Sequence, residues 1–118
     1  MKQTAIFPGR YIQAEGALAM LAEEIGQLGA SALVVAGGTA ERAILPVHLP
    51  EWQKCLAVTV ERFGGECSER EIERLTAVAR SQECDVVVGI GGGKIIDTAK
   101  AVGRAAGARV AIVPTIAS

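Results

Sequence analysis

Between Val86 and Lys100 the chain reads VVVGIGGGKIIDTAK. An apolar run ends in three consecutive glycines, Gly91, Gly92 and Gly93, and Lys94 follows at once. Backbone without Cβ atoms lets an anion come within hydrogen-bond distance of successive N–H groups. If a helix starts near Gly93, its first amides lack intrahelical partners and carry partial positive charge. Lys94 adds a mobile cation at the same place. The chemistry these residues support is the capture of phosphate oxygens. The same glycines would also suit a tight turn with close helix–strand packing, so that alternative stands beside the first. Asp97 is ambiguous in the same way. A carboxylate near a helix N-terminus is stabilising with no function at all, and Asp97 lies three residues from both Lys94 and Lys100, at helical pairing distance.

Spacing narrows the ligand. In the dinucleotide fingerprint G-x-G-x-x-G counted from Gly89, Lys94 stands where the third glycine belongs. The P-loop pattern fails too, with Val88 at its first glycine and Ile95 at its hydroxyl position. No side chain is placed to hold magnesium in the P-loop manner. The bridging diphosphate of a dinucleotide therefore fits better than a triphosphate awaiting hydrolysis.

Something must deliver this loop to an edge, and the surrounding elements can do so. Ala5 to Phe7 is a short apolar run stopped by Pro8-Gly9, which predicts a first strand. Leu18, Leu21, Ala22, Ile25 and Leu28 recur at helical spacing before Gly29, which predicts a helix over about Glu15 to Leu28. Ala32 to Ala36 is a continuous apolar run that predicts a second strand ending in a turn at Gly37-Gly38. Between Thr39 and Leu56 the expectation is a helix that Pro46 ends or kinks, then a second short helix opened by Pro50. Leu56, Val58 and Val60 alternate with polar or small residues, as in a third strand. Ser68 and Glu71 match a capping box, opening a helix to about Gln82. Val86 to Ile90 is the fourth strand, Gly93 to Ala106 a helix closed by Gly107, and Arg109 to Val113 the fifth strand, ended by Pro114. Strand and helix alternate, which predicts an α/β, three-layer domain: a mainly parallel sheet of about five strands with helices on both faces. In such sheets ligands bind beyond the carboxyl ends of the strands, which is where the glycine loop would emerge.

Bulk composition excludes several other classes. The chain has 118 residues, half of them hydrophobic, and a net charge of −1, as expected of one globular domain spanning 1–118. So even a charge gives no global argument for nucleic acid or an anionic membrane. Cys55, Cys67 and Cys84 are an odd count without a C-x-x-C pair, so neither a zinc nor a disulfide framework is expected. No apolar run approaches the roughly 20 residues that span a bilayer, and the N-terminus lacks a signal-peptide core. A cytoplasmic location is the expectation. His48 is the sole histidine and sits between two prolines, where a turn or surface role is favoured over a ligand. The carboxylates of EREIER are expected on a solvated helical face.

GIGGGKIIDTAKA followed by VAIVPTIAS, with FGGECSEREIERL and GRYIQ upstream, resembles the iron-containing or polyol alcohol dehydrogenases, most closely those acting on glycerol. The resemblance runs over nearly the whole chain and is weakest from Thr39 to Leu56. It implies a Rossmann-like domain that holds NAD for the oxidation of glycerol to dihydroxyacetone by hydride transfer. Gly91, Gly92, Gly93 and Lys94 would then face the diphosphate. Asp97 would orient that loop or touch the cofactor, and Thr115 and Ser118 would line the adenine and ribose side. The family also implies a second, helical domain whose aspartate and two histidines bind catalytic zinc; a chain without it would expose the face that domain covers, so a homo-oligomer is expected. That domain is absent from these residues, so the expectation is dinucleotide binding without turnover.

One departure concerns the end of the second strand. The family commonly places an acidic residue there to bond the adenosine ribose, and this chain has Gly37-Gly38 instead. The ribose contact and the choice between NAD and NADP are left open by that change. Two other functions stay open on the residues alone. One is a truncated remnant or oligomerising module without catalysis, and the other a phosphate-ligand protein without redox activity.

Overall fold

The computed structural model describes residues 4–7, 10–13, 31–38, 42, 45–55 and 57–114. The strands are β1 (Thr4–Phe7), β2 (Arg10–Gln13), β3 (Ser31–Ala36), β4 (Ala57–Arg62), β5 (Val86–Gly91) and β6 (Arg109–Pro114). The described helices are α1 (Leu45–Cys55), α2 (Glu69–Ser81) and α3 (Gly93–Ala106). The expected helix over Glu15 to Leu28 lies outside the described residues.

The six described strands form one sheet in the order β2-β1-β6-β5-β3-β4. β4, β3, β5 and β6 run parallel, with Ala32 opposite Val58 and Val86, and Val88 opposite Ala111. β1 and β2 form an antiparallel pair, and β1 meets β6 antiparallel at Ile6 and Ile112. The expected five strands thus become six. The missed one is β2, whose first residue Arg10 lies opposite Phe7 across the predicted Pro8-Gly9 turn.

The parallel strands are covered on both faces, which is why they read as continuous apolar runs. On one face Ala32, Val34, Ala36, Val86, Val88 and Ile90 pack with Leu45 and Trp52 of α1. On the other, Leu33, Val35 and Val87 pack with Leu75 and Ala79 of α2 and with Ile95, Ala99 and Val102 of α3. Successive residues of each strand alternate between these clusters, as the pleat requires.

α1 departs from expectation. A single helix runs from Leu45 through Pro50 to Cys55, and His48 belongs to it rather than to a turn. Pro46 is its second residue, where a missing N–H costs no intrahelical bond. Pro50 does remove one, at roughly 3 kcal/mol. Burying Leu45 and Trp52, which are 3% and 2% exposed, returns about 3–6 kcal/mol, so the helix persists.

The amino-terminal end of the sheet is tightly fastened. The Ser31 amide donates to Asp85 Oδ1 at 2.9 Å. The Asp85 amide donates back to the Ser31 carbonyl at 2.9 Å, and the Arg109 amide to the Asp85 carbonyl at 3.0 Å. One residue therefore ties β3, β5 and β6 together. Beside it the Ser31 hydroxyl reaches Cys84 Sγ at 3.7 Å, and burial pushes the Cys84 thiol pKa up.

Candidate functional site

The connections diverge at the other end of the sheet. From β3 the chain leaves through α1 on one face towards β4, whereas from β5 it leaves through α3 on the opposite face towards β6. A crevice opens where neighbouring strands send their connections to opposite sides, and open α/β sheets bind ligands there. Gly37, just past β3, and Gly91, the last residue of β5, flank this crevice. Pro114, the last residue of β6, lies opposite Gly91, so β6 ends at the same edge. Thr115 and Ser118 follow Pro114 in the sequence and lie outside the described residues.

The glycines of the loop separate into two kinds. Gly89 faces α3, and a Cβ there would stand 2.7 Å from the Ala99 Cβ. Gly91 has φ +153°, and a Cβ on it would collide with the Ile95 side chain. These two are explained by close helix–strand packing and, at Gly91, by backbone conformation. Gly92 and Gly93 are explained by neither. Gly92 has φ −85°, and a Cβ on either residue would meet nothing within 4 Å. Space lies in front of them, and nothing inside the described residues fills it.

α3 starts at Gly93, as expected, and the Ile96 amide makes the first helical bond to the Gly92 carbonyl at 3.0 Å. The preceding first-turn amides have no helical acceptor, and Gly92 contributes no capping side chain. The helix dipole adds positive potential at that point. Gly93 and Lys94 are exposed, and the open side of the loop faces solvent.

Lys94 is not idle. Its Nζ donates to Glu66 Oε1 at 2.9 Å, joining the glycine loop to the connection between β4 and α2. Both side chains are well exposed, at 63% and 75%. Such a pair is worth about 0–1 kcal/mol, so a competing anion can displace it at little cost. Asp97 is exposed and makes no ion pair among the described residues, so neither Lys94 nor Lys100 takes it as a helical partner. Thr98, by contrast, is buried and donates to the Lys94 carbonyl at 2.7 Å.

Sequence reasoning missed what anchors Gly64 in the connection that carries Glu66. Ser68 caps α2 by accepting from the Glu71 amide at 3.2 Å, which is half of the expected capping box. The other half is absent, because the Glu71 carboxylate turns away from Ser68. It accepts the Gly64 amide at 2.6 Å and the Arg74 guanidinium twice at 2.9 Å. Arg74 reaches on to Glu61 Oε1 at 2.7 Å and to the Arg62 carbonyl at 3.0 Å. Glu71 is 9% exposed, so the expectation of a solvated EREIER face fails at this residue. Its hydrogen bond from Arg74 holds the carboxyl below its ordinary pKa. The signal available was Arg74 at i+3 from Glu71, but only the fold brings Gly64 within reach.

Arg42 and Arg62 were also missed. Arg62 ends β4 opposite Ala36, and both guanidinium groups converge on Gly38. No three His, Cys, Asp or Glu side chains among the described residues could hold a metal ion together. No described helix is long and apolar enough to cross a membrane.

Residues 8–118 match the family model described as iron-containing alcohol dehydrogenase. A glycerol dehydrogenase of Thermotoga maritima is 48% identical over all 118 residues, which cover 32% of that protein. A glycolaldehyde reductase of Halobacterium salinarum is 38% identical over 98% of the chain and 32% of its own length. A crystal structure of a probable glycerol dehydrogenase from Sinorhizobium meliloti superimposes with a TM-score of 0.75 at 41% identity, covering 85% of this chain and 26% of that one. The chain thus spans about a third of the length of these curated relatives.

Proposed function

The chain belongs to the iron-containing alcohol dehydrogenase family, and from that premise we propose that it is the dinucleotide-binding part of a polyol dehydrogenase, glycerol being the substrate its relatives suggest. The observation that carries this reading is the open space before Gly92 and Gly93, which no packing or backbone requirement explains. The first-turn amides of α3 would hold the diphosphate, and Lys94 would leave Glu66 to meet it. Gly37 would lie beside the adenosine ribose, with Thr115 and Ser118 on the adenine side and Asp97 orienting the loop from the first turns of α3. NAD is the dinucleotide that the family resemblance implies.

Bound there, the dinucleotide would supply the hydride acceptor for oxidation of glycerol to dihydroxyacetone. The described residues bind and orient it. No metal-dependent step is assigned to them, since no ligand set converges among them. Residues 1–118 would form one domain that binds without turning over. The test is calorimetric titration of the 118-residue chain with NAD and NADH. Saturable binding is expected, and it should vanish when Gly93 is changed to Asp while the fold is retained. A folded sample giving no heat up to about 1 mM of any nicotinamide dinucleotide would overturn the proposal.

A further inference from the structure

We infer that the groove between α2 and α3 is a docking surface for a second copy of this chain, with α2 lying antiparallel on its counterpart about a two-fold axis. The inference goes beyond the proposed function and does not depend on it. α2 and α3 lie side by side on one face of the sheet, and the groove between them holds about 270 Å³. Its walls are Ile72, Glu73, Thr76, Ala77 and Arg80 of α2 with Ala105 of α3. Ala105 stands twelve residues past Gly93, about 18 Å along α3 from the glycine loop.

Opposite charges mark the two ends of the groove. Glu73 and Arg80 are seven residues apart, close to two helical turns, so they share one face of α2 about 10 Å from each other. That separation is too long for an ion pair within the chain. Glu73 is exposed and makes no ion pair among the described residues. Arg80 is exposed and donates from Nη2 to the Ala105 carbonyl at 2.7 Å. That bond fixes where the guanidinium stands, while a neutral carbonyl leaves its positive charge uncompensated.

The arrangement is complementary to itself. Under a two-fold axis crossing α2 between Thr76 and Ala77, Glu73 of one copy meets Arg80 of the other, and Arg80 meets Glu73. Ala77 is exposed at the centre, and its small side chain lets the two helix axes approach to about 8 Å. Thr76 is an independent sign. It is 7% exposed, and its buried hydroxyl has no hydrogen-bond partner among the described residues. A desolvated hydroxyl left unpaired is unfavourable. A hydroxyl both donates and accepts, so two Thr76 side chains turned towards the axis can bond to each other. An unrelated protein would have to reproduce the charge spacing and the hydroxyl, whereas a second copy already carries both.

The contact is small, because α2 has 13 residues and is only about 20 Å long. A Kd of roughly 10–100 µM is expected. The test is sedimentation velocity of the 118-residue chain from about 5 to 500 µM. A reversible monomer–dimer equilibrium that weakens with added salt is expected. Glu73→Arg and Arg80→Glu should each be monomeric alone, since each sets like charges against one another. An equimolar mixture of the two variants should dimerise about as tightly as the parent, because one copy then offers two cations and the other two carboxylates. A parent chain that stays monomeric throughout, a dimer that survives either variant alone, or a mixture that stays monomeric would overturn the inference. Should Arg80→Glu fail to fold for want of its bond to Ala105, Glu73→Arg and Ala77→Tyr decide the matter. Each must then abolish the dimer, and survival in either overturns the inference.

Discussion

Gly89 and Gly91 differ from Gly92 and Gly93 in what their missing side chains are for. The first pair looks inward. Ala99 and Ile95 occupy the space a Cβ would need, and α3 lies close on β5 because those atoms are absent. The second pair looks outward into open space. A run of glycines that is uniform on paper thus divides at the boundary between β5 and α3, with packing on one side and, on the other, open space where the proposed function puts the ligand. In the sequence the structural and functional explanations competed for the whole run. In the fold, packing accounts for the first pair and leaves the second pair facing open space.

The division can be attacked directly. The largest effect is expected from Gly91→Val, which combines a positive φ with a collision against Ile95. Denaturant unfolding should show a loss of about 3 kcal/mol or more. A loss below 1 kcal/mol, by the same measure, would remove Gly91 from the packing class. Gly89→Ala is milder, since one methyl meets another at 2.7 Å. It should cost about 1–3 kcal/mol.

A comparable loss is expected at the anchor behind Glu66. Glu71→Gln gives up charged hydrogen bonds to Gly64 and Arg74 and should destabilise the fold by about 1.5–3 kcal/mol. The pH dependence has a definite sign. The folded-state pKa of Glu71 is depressed below its ordinary 4.5, so its contribution is complete above that value and fades as pH falls through the lower folded pKa. The melting-temperature gap between the variant and the parent should therefore be widest near neutrality and shrink in acid. A gap that stays constant down to about pH 2 would contradict the assignment.

Gly92→Ala and Gly93→Ala sharpen the contrast from the other side. Both should leave stability within about 0.5 kcal/mol, yet dinucleotide affinity should fall about tenfold or more as the methyl occupies the diphosphate approach. Variants that unfold without losing affinity when folded would reverse the two classes. The smallest effect belongs to Glu66→Gln. Removing an exposed partner of Lys94 should change stability by less than about 0.5 kcal/mol, and affinity should rise slightly because Lys94 is no longer shared.

What could be read without the fold follows from how local each signal is. The parallel strands, the ends of α3 and the Gly107 cap, which has φ +69°, all carry their instructions within a few residues. β2 was missed because four residues, Arg10 to Gln13, show no periodicity that separates them from a loop. Its signal was the two-residue gap at Pro8-Gly9, which suits a hairpin. α1 was misjudged because proline rules are local, whereas Leu45 and Trp52 find their partners across the sheet. Gly91 to Gly93 and Lys94 stood out as a loop, but their division into two roles required knowing where Ile95 and Ala99 lie. Glu71, Arg42 and Arg62 are ordinary charged residues in sequence. Only tertiary placement brings them to Gly64 and Gly38.

The clasp at Asp85 has a consequence at the far rim. It pins β3, β5 and β6 at a shared origin, and each strand then counts out six residues to the opposite edge. Sliding β5 by a single position would turn Val88 and Ile90 towards α3, where the methyl of Ala99 leaves no vacancy. A carboxylate remote from any ligand therefore acts as the zero mark of a ruler, and the height at which the glycine loop emerges is measured from it.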